Sequence, residues 1–77
     1  MTSPARIAAE PATIRVDPDS VRNARLAKFW TQGELAARSR LTPQTIHRLE
    51  TGKAAPRLAT IRLLAEALGV QPMDLVA

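Results

Sequence analysis

Residues 31–52 read TQGELAARSRLTPQTIHRLETG, and the fold turns on them. Thr31-Gln32-Gly33-Glu34 is a capping box, in which the Thr31 hydroxyl and the Glu34 carboxylate each satisfy a free N–H at a helix start. The helix it opens is predicted to run to about Ser39. After a short turn at Arg40 and Leu41, Thr42-Pro43 repeats the start signal, with a capping hydroxyl followed by proline at the first helical position. This second helix is predicted to run to about Glu50, because Gly52 takes the left-handed cap conformation without steric cost.

Working outward, Asp17-Pro18-Asp19 is another helix start, since Asp17 accepts orphan N–H groups and both acids suit the helix dipole. That helix is predicted to reach about Phe29. Past Gly52, the basic loop from Lys53 to Arg57 leads into Leu58, Ile61, Leu64, Ala65 and Leu68, spaced as one helical face. Gly69 closes this helix, and Gln71-Pro72 begins a final turn carrying Met73, Leu75 and Val76. Thr13-Ile14-Arg15-Val16 is β-branched and reads as a brief extended segment packing Ile14 and Val16 on the helices. The expectation is an all-α, compact five-helix domain over residues 13–77, preceded by a flexible N-terminal arm over residues 1–12 that carries Arg6.

Composition narrows the function. Eleven Lys and Arg against seven Asp and Glu give a formal charge of +4, which favours an anionic partner. There is no cysteine, hence no disulfide framework and no thiolate site, in keeping with a reducing cytoplasm. The longest apolar runs fall far short of the roughly 20 residues that cross a bilayer, so no membrane span is expected. Residues 1–16 are broken by Pro4, Arg6, Glu10, Pro11 and Arg15 and lack the apolar centre of a signal peptide, so a cytoplasmic location beside the nucleoid is expected.

Chemistry on the helix from Thr42 to Glu50 is one-sided. At 100° per residue Ile46 and Leu49 lie about 60° apart and mark its buried side, while Gln44, Arg48 and Thr51 fall opposite and His47 lies about 130° from the buried centre. Pro43 stands at the leading end. Guanine presents paired acceptors in the major groove and adenine an acceptor and a donor, which arginine and glutamine each engage with two bonds. Arg48 and Gln44 carry those side chains, although any exposed helix face can hold such residues.

From Arg25 to Leu75, about two thirds of the chain, the sequence resembles the phage-repressor and Cro-like helix-turn-helix family, the Xre group. The resemblance rests on the order and spacing of Thr31-Gln32, Glu34-Leu35-Ala36, Leu41-Thr42, Thr45-Ile46, Leu49-Glu50-Thr51-Gly52, Pro56 and Leu64-Ala65-Glu66-Ala67-Leu68-Gly69-Val70. It implies a repressor-like domain that binds double-stranded DNA sequence-specifically, most simply as a transcriptional repressor, with the helix at 42–50 in the major groove. Base contacts are then expected from Pro43, Gln44, His47 and Arg48. Phosphate or backbone contacts are expected from Gln32, Thr42, Thr51, Lys53 and Arg57. The resemblance further implies that Gln32 braces Gln44, that Arg57 reaches toward the minor groove or stays solvated, and that Arg25 and Glu50 form a structural ion pair. Phe29 and Arg40 depart from the pattern, standing where glycine is common and where a left-handed cap is disfavoured for other residues. Arg57 replaces the usual hydroxyl cap of the helix after it.

Other function classes have less behind them. One histidine, no tyrosine and no tight carboxylate pair leave neither a nucleophile–base unit nor a metal site visible, so no catalysis, cofactor or metal is expected. Asp17 and Asp19 are explained by capping, and the single tryptophan, Trp30, by core packing. The principal rival is an antitoxin or accessory module that holds a toxin or another protein, with DNA binding secondary. For DNA binding itself, a homodimer on a palindrome with half-sites about 34 Å apart is expected.

Overall fold

The computed structural model describes residues 14–77; the expected arm at residues 1–12 lies outside them. Helix α1 spans Pro18–Ala27, α2 Gln32–Ser39, α3 Pro43–Glu50 and α4 Leu58–Leu68, and Pro72–Leu75 forms a 3₁₀ turn. The class is all-α, but the expected fifth helix is corrected to that single turn. Four residues begun by a proline close only i→i+3 bonds, such as the one from the Asp74 N–H to the Gln71 carbonyl at 2.9 Å.

The caps decide where the helices begin. Asp17 accepts from the Asp19 N–H at 3.2 Å and the Ser20 hydroxyl at 2.8 Å. The Thr31 box is complete, with the Glu34 N–H on the Thr31 hydroxyl at 3.0 Å and the Thr31 N–H on the Glu34 carboxylate at 2.7 Å. Thr42 accepts from the Thr45 N–H at 3.1 Å. Arg57 stands at the start of α4 with no side-chain cap bond. The ends are less regular. Helix α1 stops at Ala27, two residues before the expected Phe29, because Phe29 itself takes the left-handed conformation at φ 58°. Arg40 does the same after α2 at φ 64°.

Helix α3 lies across α1 and α2, α4 packs on α2, and the 3₁₀ turn closes against α1 and α4. Their common core is Val21, Leu35, Ala36, Ile46, Leu49, Leu64, Ala65, Leu68 and Leu75. Each large member stabilises the fold by about 1.5–3 kcal/mol relative to exposure. The segment before α1 is extended, as read from its β-branched residues. Val16 meets Val76 in an isolated antiparallel bridge, and the Ile14 N–H donates to the Pro56 carbonyl at 2.8 Å. The two ends of the described chain thereby tie α1 to the end of the fold.

Candidate nucleic-acid interface

Helix α3 is seated by Ile46 and Leu49, buried against α1 and α2, and this seating fixes its outward face. Pro43, Gln44, His47 and Arg48 are all exposed there, with Thr42 at the leading end. The row of hydrogen-bonding side chains therefore projects from a helix whose rotation is set by the core.

Beneath it lies a buried polar network. The Arg25 guanidinium donates to the Glu50 carboxylate from Nε at 2.7 Å and from Nη2 at 2.9 Å, and its Nη1 donates to the Trp30 carbonyl at 2.7 Å. The Gln32 amide adds a third bond to Glu50, from Nε2 at 3.1 Å. The pair is shut off from water, with side-chain exposures of 11% for Arg25 and 2% for Glu50. Burial opposes ionisation of Glu50, but the bonds from Arg25 and Gln32, helped by the positive charges of Arg25 and Arg22, outweigh it. They hold the carboxyl below the ordinary carboxylate range. Arg25 is raised in turn, first by its bond to Glu50 against the cost of burial.

One expectation changes here. Gln32 does not brace Gln44: its amide is turned inward to Glu50, because an ionised carboxylate is a stronger acceptor than a neutral amide. Arg48, expected at a base edge, stands on the exposed face with its Nη2 donating to the Lys53 carbonyl at 2.9 Å. The Lys53 N–H returns a bond to the Arg48 carbonyl, also at 2.9 Å, so that side chain and backbone both close the turn at Gly52. The Thr51 hydroxyl is likewise committed to the helix, donating to the His47 carbonyl at 2.9 Å. Lys53 and Arg57 are exposed on the loop between α3 and α4.

Sequence reading missed what surrounds Trp30. The ring packs partly on the core, as expected, but Arg38 lies over it at 4.5 Å and Lys28 at 5.3 Å from the centroid. The sequence carries little signal for it, since Trp30 precedes the Thr31 cap and is not on the helix that carries Arg38. Among the described residues no group of His, Cys, Asp or Glu is arranged to hold a metal ion, and no helix is long and apolar enough to cross a membrane.

Residues 21–75 match the family model described as helix-turn-helix. An uncharacterised HTH-type transcriptional regulator of Sinorhizobium fredii, y4dJ, is 42% identical over 52 residues, which is 68% of this chain and 68% of that protein. The restriction-modification controller protein C.AhdI from Aeromonas hydrophila superposes with a TM-score of 0.72 at 32% identity, over 74% of this chain and 86% of that one. A hydroxyethylphosphonate dioxygenase also contains such a unit, with a TM-score of 0.72 at 30% identity, but 83% of this chain corresponds to only 14% of that enzyme. A match so small a part of an enzyme reports a shared helical unit and carries no reaction to this chain. The chain belongs to the helix-turn-helix family. Its function in class is DNA binding in the regulation of transcription.

Proposed function

We propose that the chain binds double-stranded DNA sequence-specifically through the outward face of α3 and acts as a transcriptional repressor. The observation that carries this reading is the exposed row Gln44, His47 and Arg48 on a helix held in rotation by buried Ile46 and Leu49 and by the Arg25–Glu50 pair. Arg48 carries paired donors that match the two acceptors of guanine, and Gln44 a donor and an acceptor that match the edge of adenine. Pro43 leads the helix into the groove. The exposed Lys53, Arg57 and Thr42 flank it and suit phosphates, and Gln32 serves chiefly to hold Glu50 in place.

A domain this small makes few base contacts, and a two-fold dimer on a palindrome doubles them. The reading includes no catalytic step and assigns the chain to the cytoplasm. Selection from random duplexes tests it. A recovered palindrome with half-sites about one turn, ~34 Å, apart is the expected result. Failure to enrich any sequence, with affinity that depends only on salt, would overturn specific reading.

A further inference from the structure

Around α2, about 120° from Gln32, lies a cluster that DNA reading leaves unused. The Arg38 guanidinium stacks on Trp30 while the Lys28 ammonium approaches the same ring. Arg38 also joins Arg40 along an open cleft of about 400 Å³ between the end of α2 and α4, with Leu63, Glu66 and Ala67 on the α4 side. Neither Lys28, Arg38 nor Arg40 forms an ion pair with a described residue; the pairs present are Arg22–Asp19 and Arg25–Glu50.

We propose that this cleft and the Trp30 stack form a docking site for an acidic segment of a partner protein. Charge complementarity carries the choice of occupant, since two cations outside any ion pair, Arg38 and Arg40, line a cleft whose one acid is Glu66, and Lys28 stands over the adjoining Trp30 ring. Stacking on an aromatic face orients the planar guanidinium of Arg38, leaving its donor fork prepared for a carboxylate. The cleft is of a size that takes side chains, and Leu63 and Ala67 give it an apolar wall. Arg40 supplies its charge from a left-handed backbone that glycine would occupy at lower cost.

Duplex DNA fits this surface less well. Gln32 faces Glu50 and α3, whereas Arg38 and Arg40 face α4, and Glu66 would oppose phosphates there. The site does not depend on how α3 reads bases, so the two readings fail separately.

Trp30 is the chain's only tryptophan, so its emission reports the site directly. Titration of the full chain with a short Asp/Glu peptide carrying one leucine is expected to give a saturable change in Trp30 emission, and a Lys/Arg peptide of equal length none. Arg38→Glu combined with Arg40→Gly is expected to weaken the acidic peptide at least about tenfold. Helical circular dichroism and duplex affinity should remain those of wild type. Arg40→Gly alone, which relieves the left-handed residue, serves as the folding control. Absence of a saturable response, or equal binding by the double variant, overturns the proposal. So does a loss of duplex affinity in Arg38→Glu matching that of Lys53→Ala, which would make the cluster part of the DNA footprint.

Discussion

Arg25 and Glu50, 25 positions apart, join α1 to the last residue of α3 through two guanidinium–carboxylate bonds of 2.7 and 2.9 Å. The remaining Nη1 reaches the Trp30 carbonyl, so the same side chain also secures the entry to α2. All three segments of the reading unit thus meet at one buried cation. A buried pair contributes little beyond an apolar replacement, yet removing one partner strands the other without water, which is the costly event.

Arg25→Ala is therefore expected to lower stability by about 3–5 kcal/mol, leaving the Glu50 charge buried with only Gln32 as a partner. Replacing both members by apolar residues should cost much less than the sum of the single changes. Urea denaturation of the two single variants and the double variant measures this. Additive losses would mean that the residues do not act as a pair.

Acid should weaken the same link. Because the folded state holds the Glu50 carboxyl below its ordinary value of about 4.5, its contribution is complete above that pH and is lost as pH falls through the lowered folded value. The difference in melting temperature between wild type and Glu50→Gln is thus expected to be largest and constant above about pH 5, and to shrink below about pH 4.5. A difference independent of pH would show that the carboxyl titrates in the fold as it does in the unfolded chain.

Phe29 and Arg40 sit in left-handed backbone at φ 58° and 64°, and Phe29 is 93% exposed. The conformation costs a side-chain-bearing residue about 1–2 kcal/mol, while glycine loses roughly 0.5–1 kcal/mol more chain entropy on folding. Phe29→Gly and Arg40→Gly are each expected to stabilise by about 0.5–1 kcal/mol net. Their denaturation midpoints decide the matter. A fall for Phe29→Gly would reveal packing by a ring that stands in solvent.

The helix starts were legible because capping is local chemistry: Asp17, Thr31 and Thr42 each accept an N–H two or three residues on. Ile46 and Leu49 likewise fixed the rotation of α3 by period alone. The end of α1 was not legible, since whether Phe29 accepts left-handed strain depends on how α2 must be placed. The partner of Gln32 was hidden for a similar reason. The resemblance pointed its amide to Gln44, and only the folded arrangement brings the Glu50 carboxylate to 3.1 Å. The bond from Arg48 to the Lys53 carbonyl joins a side chain to backbone past a glycine turn, which no spacing rule reports.

That bond sharpens the contrast between Arg48 and Lys53, which are close in sequence and equally basic. To read guanine, Arg48 must exchange its bond to the Lys53 carbonyl for base acceptors, so part of the gain offsets a bond already made. Arg48→Ala is expected to cost about 1–3 kcal/mol on an operator and to relax preference at one base position. Arg48→Lys keeps the charge but lacks the fork, so it should lose the same preference while leaving the salt dependence unchanged. Lys53→Ala retains the backbone carbonyl that Arg48 uses, and its effect isolates the ammonium. Removing that ammonium should weaken all sequences alike and reduce the log-affinity against log-salt slope by about 1. Salt titrations of the three variants, on an operator and on versions altered at the suspected guanine, separate the roles. Altered base preference in Lys53→Ala but not in Arg48→Ala would mean that α3 lies the other way round in the groove. Uniform weakening in Arg48→Ala with preference intact would make Arg48 a clip for the loop that holds Lys53 against the phosphates, with base reading left to Gln44 and His47.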